Sequence, residues 1–191
     1  MQPATGPRRR PARSLRRLLL WVVFLFVAAL VGFWSWNQPF MLRARLMLEL
    51  SRMPAPVALP VPVQGVAAAR VADTFGAPRG ADRAHAGVDI FAPRGTPVVS
   101  ATVGIVSSIR DTGLGGKQVW VLGPARERHY YAHLDDWAPE LAEGDRVEPG
   151  HVLGYVGTTG NARGTPPHLH YGIYGAEGAY DPLPLLRAES P

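Results

Sequence analysis

Three short stretches of this 191-residue chain gather the side chains that could do chemistry: His85-Ala-Gly-Val-Asp89, Tyr130-Tyr-Ala-His133-Leu and His168-Leu-His170. In the last, two imidazoles stand two residues apart, so in a strand both project from one face while Leu169, Tyr171 and Ile173 face the other way, as a core row would. Gly172 leaves open space behind them, and Pro166 and Pro167 stiffen the approach to the strand. Two neutral imidazoles on one face are a natural start for a metal site. His85 and Asp89 add an imidazole and a carboxylate, and Ala86 and Gly87 keep that segment slim enough for backbone to approach a metal. Two histidines, one carboxylate and an open fourth position make the ligand pattern of a hydrolytic zinc site. The chain has no cysteine, which excludes a thiolate metal site, a cysteine nucleophile and a disulfide scaffold.

The other histidines read differently. His133 lies on a strand with Tyr131 and His129 on its own face and Tyr130, Ala132 and Leu134 on the other. His129 is four residues away, about 13 Å along a strand, so both cannot serve one small site. His129 follows Arg126-Glu-Arg128 and His151 ends Glu148-Pro-Gly-His151. Both read as solvated turn residues whose replacement by Ala is nearly silent.

The elements that must position these groups are short strands. Val98 to Ile109 alternates, with Gly104 as a bend or bulge. Lys117 to Leu122, His129 to Leu134, Val152 to Val156 and His168 to Tyr174 follow, separated by turns rich in Gly, Pro and Asp. The expectation is a mainly β domain, an antiparallel sandwich or barrel, over residues 66–191. Ahead of it, Leu18 to Trp36 holds no charged residue. Nineteen residues at about 1.5 Å each span roughly 28 Å, one bilayer core. Trp21, Trp34 and Trp36 sit near its ends, and six Arg precede it, so residues 1–17 read as a cytoplasmic Arg-rich tail and 18–36 as an uncleaved transmembrane helix. Residues 37–65 read as a helical stalk from Phe40 to Met53, then an extended polyproline spacer with four Pro between Pro54 and Pro62. The net charge of +5 belongs to the tail: without its six Arg the chain holds 14 basic and 15 acidic residues. No globular part is basic enough to argue for nucleic acid, and nothing in the sequence names a protein partner.

Together the clusters resemble the M23 family of zinc metallopeptidases, the lysostaphin and LytM-type peptidoglycan endopeptidases. The resemblance runs from about Val66 to Ile173, through Phe75-Gly76, His85-Ala-Gly-Val-Asp89, Ala92-Pro-Arg-Gly95-Thr-Pro-Val98, Gly104-Ile-Val106, Tyr131-Ala-His133-Leu134, Gly144-Asp-Arg-Val147-Glu-Pro-Gly150, Gly157-Thr-Thr-Gly160 and His168-Leu-His170. It implies a LytM-type β domain, Zn²⁺ held by His85, Asp89 and His170, and His133 and His168 as the catalytic histidines. All five positions are filled. The segment Ala162-Arg-Gly-Thr-Pro-Pro167 departs from the family's usual Ser-Thr-Gly-Pro, and Tyr171-Gly172 stands where Phe-Glu is common.

No His-Glu-x-x-His helix supplies a glutamate base, so on this reading histidine takes the proton of the attacking water; spacing does not say which of the two does so. The substrate implied is the peptide cross-link of peptidoglycan. With one anchor and a short spacer, the catalytic domain is expected in the periplasm at the cell inner membrane. The rival reading is a LytM-type non-hydrolytic module that activates a cell-wall amidase. A reporter fused after Pro191 is expected to be active only outside the cytoplasm, on a protein that keeps its full length. A mature form lacking residues before about Gln38 would instead identify a cleaved signal peptide.

Overall fold

The computed structural model describes residues 12–38, 41–79 and 83–188. The chain divides into two compact units, one up to Arg45 and one from Leu46. In the first, helix α1 (Ala12–Trp36) contains Leu15–Trp36, a stretch long and apolar enough to cross a membrane. Its large apolar side chains are exposed along its length. Most of the Arg-rich tail lies outside the described residues.

The second unit is built from strands too short to stand alone. They are β1 (Val88–Phe91), β2 (Pro97–Val99), β3 (Gly104–Thr112), β4 (Gly116–Leu122), β5 (Arg128–Trp137), β6 (Arg146–Val147), β7 (Val152–Val156), β8 (His168–Gly175) and β9 (Gly178–Tyr180). Every pairing is antiparallel. The main path runs β1-β8-β5-β4-β3-β6; β7 joins β5 to β2, and β9 pairs with β8. Leu169, Tyr171 and Ile173 of β8 are fully buried and meet Val88 and Ile90 of β1, Val119 and Val121 of β4, Tyr131 and Leu134 of β5 and Val156 of β7 in one core. Period-two alternation thus puts the opposite face of β8 at the site.

Two sequence expectations change. The run from Val98 to Ile109 is not one bent strand. It breaks at residues 100–103, where the Ser100 hydroxyl donates to Thr102 O (2.7 Å) and the Ala101 N–H donates to the Tyr131 hydroxyl (3.0 Å). Side-chain bonds of this kind compete with ladder pairing. The proline-rich segment is extended as expected, but it is a docked strap rather than a free spacer. Leu59 N–H donates to Leu185 O in the short helix α3 (Leu183–Arg187), Val63 bridges Val98, and Gln64 N–H and Val99 N–H bond Pro97 O and Pro62 O. Proline content dictated the backbone conformation, while the buried Leu59 and Val63 decide where it lies.

The expected stalk is helix α2 (Leu42–Arg52), and the i, i+4 pair Leu46 and Leu50 buries against Ile105 with Met53 and Val103 beside it. The compact unit therefore begins at Leu46, not near Val66. A chain starting at Met41 is expected to melt well above one starting at Val66. The shorter chain loses the burial of Leu46, Leu50, Leu59 and Val63, each worth about 1.5–3 kcal/mol. Thermal unfolding followed by circular dichroism measures the difference, and equal midpoints would show that helix and strap contribute nothing.

Candidate functional site

Strand β8 sets the site out. Its antiparallel register with β1 puts Asp89 opposite His170 and Phe91 opposite His168. Directly opposed residues bring their Cβ atoms to about 4.5–5.5 Å, so carboxylate and imidazole meet without help from a loop. His85 arrives from the segment before β1, where His85 N–H donates to Ala77 O (2.9 Å) and Gly76 N–H donates to His85 O (2.8 Å). Its Nδ1 donates to Thr74 O (2.7 Å). A carbonyl only accepts, so the ring proton is on Nδ1 and the Nε2 lone pair is free for a metal. The Thr74 hydroxyl accepts the Asp89 N–H (2.9 Å) and braces the same loop. A Cβ at Gly87 would lie 2.4 Å from Tyr171 O, so the slimness of this segment serves its approach to β8 rather than to a metal.

The three donor atoms converge. His85 Nε2 lies 2.7 Å from His170 Nδ1 and 3.1 Å from Asp89 Oδ1, and His170 Nδ1 lies 3.4 Å from Asp89 Oδ1. Ligand atoms at 2.0–2.1 Å around a tetrahedral Zn²⁺ are separated by about 3.3 Å, so this set fits such an ion with small adjustments. Both histidines and the aspartate are largely withdrawn from water. Burial works to raise the Asp89 carboxyl, but hydrogen bonds from His170, His85 and Arg79 outweigh it and hold the group well below the usual carboxylate range. Arg79 takes the other oxygen, Oδ2. Burial lowers the His170 imidazole, favouring the neutral form that ligation needs.

His133 reaches this cluster by breaking the rule of its strand. Plain alternation groups it with His129 and Tyr131, and both of those are fully buried in the core. His133 instead adopts φ +65°. There β5 sets two residues, Ala132 and His133, against the single Gln118 of β4, between the pairs Tyr131–Val119 and Leu134–Lys117. This bulge turns the His133 ring to the face that carries Tyr130 and Ala132. The His133 N–H donates to Gly115 O (2.9 Å) and its Nδ1 to Thr159 O (3.0 Å). His168 is held in the same way, its Nδ1 donating to Pro166 O (2.8 Å). The two rings stand edge to face, centroids 5.1 Å apart, each with Nε2 left as the acceptor. Burial, then repulsion from His170 and His168, pushes the His133 imidazole down to about 4.

Thr159 was missed in the sequence as an individual residue, although it belongs to Gly157-Thr-Thr-Gly160. Its hydroxyl accepts the Lys117 N–H (3.0 Å) and donates to Leu134 O (2.9 Å). One residue thus clamps the loop to two strands while its carbonyl aims His133. The clamp works because Gly116 and Gly160 approach so closely that a Cβ on Gly116 would lie 2.3 Å from Gly160 N. Arg79 and Thr74 were also missed, since nothing in their local sequence distinguishes them. The cluster opens into a groove of about 330 Å³ that Arg79, Arg83, Leu114, Trp120, Tyr130 and Tyr174 also line.

His129 is not solvated. It is fully buried, its Nδ1 2.7 Å from the Tyr171 hydroxyl, and burial pushes the ring down to about 4. The polar Arg126-Glu-Arg128 context misled because the strand begins at Arg128 and alternation turns His129 inward at once. His151 is exposed, as expected. Nor does Gly172 leave open space: a Cβ there would lie 2.8 Å from Ala86 O and 3.1 Å from the Tyr174 ring.

The profile described as Peptidase family M23 matches residues 83–182. Over 142 residues the chain is 39% identical to the L-Ala–D-Glu endopeptidase of Bacillus subtilis (strain 168), a match covering 69% of this chain and 43% of that protein. The catalytic domain of the antimicrobial peptidase lysostaphin from Staphylococcus simulans superposes with a TM-score of 0.55 at 30% identity, over 62% of this chain and 92% of that one. A zinc containing peptidase from Vibrio cholerae gives 0.56 at 27% identity, over 70% and 41%. The chain spans less than half the length of the curated relatives it matches.

His129 makes stability depend on pH. Its folded value of about 4 lies below the ordinary 6.5, so between the two the unfolded chain binds more protons. The contribution is complete above about pH 6.5 and is lost as pH falls toward 4, by up to about 1.4 kcal/mol per pH unit. His129→Gln is expected to flatten the fall in melting temperature between pH 6.5 and 4.5 relative to the wild type. His129→Ala is expected to lose about 1–3 kcal/mol at neutral pH by orphaning the Tyr171 hydroxyl. Parallel melting curves across that pH range would refute the assignment.

Proposed function

The chain belongs to peptidase family M23, and from that premise we propose that it is a membrane-anchored zinc endopeptidase that hydrolyses peptide cross-links of peptidoglycan. One observation carries the reading: the donor atoms of His85, Asp89 and His170 all lie within 4.8 Å of one another, in a groove that His133 and His168 also line. His85, Asp89 and His170 would hold the ion, through Nε2, Oδ1 and Nδ1. Bound zinc supplies Lewis-acid polarisation of a water and of the scissile carbonyl.

The rest falls to the chain's own side chains. His133 and His168 each keep their proton on Nδ1, spent on a backbone carbonyl, so Nε2 is the atom that takes the proton of the attacking water. The same atom, once protonated, returns that proton to the leaving amine or donates to the developing oxyanion. Arg79 holds Asp89 Oδ2, keeping Oδ1 for the ion. The apolar stretch Leu15–Trp36 supports an anchor that leaves the N-terminus in the cytoplasm and residues 46–191 in the periplasm, docked strap included.

Asp89→Ala and His170→Ala are each expected to reduce zinc binding and abolish release of muropeptides from purified sacculi. His133→Ala is expected to retain one zinc per chain while cleavage slows about 10²–10⁴-fold, the usual cost of a lost acid–base group. Metal content measured beside cleavage rate separates the two roles. Full zinc in both ligand variants, or zinc lost from His133→Ala, would overturn the assignment; an intact protein that binds sacculi and releases no fragment would point to the non-hydrolytic module.

A further inference from the structure

The groove continues past the ligand cluster along a row of aromatic side chains that the reaction itself does not use. Tyr130 stands edge-on to His170, ring centroids 5.6 Å apart. Trp120 stacks on Tyr130 at 4.2 Å and 27°. Tyr174 packs against Trp120 at 5.3 Å. Beyond them the Arg128 guanidinium lies over the Trp120 ring, 5.4 Å from its centroid. Three neighbouring strands build this row through their register, with Trp120 opposite Tyr130, Arg128 opposite Tyr174, and Tyr130 opposite Gly172. The space over Gly172 is what Tyr174 occupies.

These rings are not core. The core lies on the other face of β5 and β8, and Trp120, Tyr130 and Tyr174 are each only partly buried where they line the groove. No carboxylate pairs with Arg128 among the described residues, whereas Arg79 is already committed to Asp89. A guanidinium stacked on an indole keeps its in-plane N–H fork available, and that fork matches a carboxylate. Taken centre to centre, the row sets Arg128 within about 15 Å of His170, the reach of about four extended residues.

We propose that Trp120, Tyr130, Tyr174 and Arg128 form a specificity subsite for an acidic peptide stem, the rings stacking on its planar amides and Arg128 pairing with a free carboxylate a few residues from the scissile bond. This rests on the endopeptidase reading above and adds to it the charge of the preferred substrate. A carbohydrate ring is the less favoured occupant, because the row ends in a cation on the indole rather than in an open aromatic face.

The test uses the full-length chain in detergent and two cross-linked muropeptide dimers, one with free carboxylates and one with those carboxylates converted to primary amides. The wild type is expected to favour the acidic dimer about tenfold in kcat/KM. Arg128→Gln should erase that preference by raising KM for the acidic dimer, with kcat and cleavage of the amidated dimer little changed. Arg128→Lys should recover part of it, and Trp120→Ala should weaken both dimers through KM. A merely structural role for Arg128 would lower both dimers equally, and that outcome overturns the proposal. So does equal cleavage of the two dimers by the wild type, or competition by peptide-free glycan strands that matches the acidic dimer. If the wild type cleaves neither, the hydrolytic reading fails by itself. Calorimetric binding of the two dimers then decides the subsite: an acid preference lost in Arg128→Gln supports it, and equal binding overturns it.

Discussion

Strand β8 can give only one of its faces to the apolar core. Leu169, Tyr171 and Ile173 are wholly withdrawn from water, and slipping the strand by one residue would exchange all three for histidines and glycine. Everything at the site inherits that constraint. The same register that seats the core row sets His170 against Asp89, His168 against Phe91, and Gly172 against Tyr130. The apolar contacts thus serve as the alignment device for polar groups that would otherwise resist being gathered. Buried imidazoles and a buried carboxylate cost free energy unless each finds a partner, and here they are brought together by residues with no chemistry of their own.

A second device recurs three times. His85, His133 and His168 each give the Nδ1 proton to a backbone carbonyl, those of Thr74, Thr159 and Pro166. A main-chain carbonyl can only accept, so it fixes the tautomer of the neutral ring and leaves Nε2 as the working atom. Thr74 and Thr159 also tie down the loops that bear or face the site, Thr74 through the Asp89 N–H and Thr159 through β4 and β5. Orientation and loop order are therefore one property in this protein.

What could be read from the residues, and what could not, divides along the same line. His168-Leu-His170 was legible because a strand's period of two relates neighbours in sequence, and most strand runs emerged for the same reason. Asp89, His85 and His170 could be assigned to one site only through the family pattern, since 80 residues and six other strands lie between Asp89 and His170. His129 reads as solvated because its polar neighbours hide that the strand already begins at Arg128, and His133 reads as sharing its face because the bulge that turns it is held by contacts with Gly115 and Thr159. Those partners are remote in sequence. The strap was legible as extended and illegible as docked: prolines restrict torsions locally, while the choice of surface depends on β2 and α3. Thr74, Thr159 and Arg79 act through main-chain atoms or through another residue's second oxygen, and such roles leave no local signature.

The left-handed backbone at His133 also bears on how this site could change over time. A non-glycine residue in that conformation carries about 1–2 kcal/mol of strain, which glycine at the same place would relieve. Selection for folding alone would thus favour replacing this histidine, and only selection for what its ring does at the site opposes it. The two pressures meet at one residue whose loss would spare the donor atoms of His85, Asp89 and His170 and the groove walls. A lineage that no longer needs this imidazole would slide downhill at position 133 first, arriving at a stabler domain with its His85, Asp89 and His170 cluster intact.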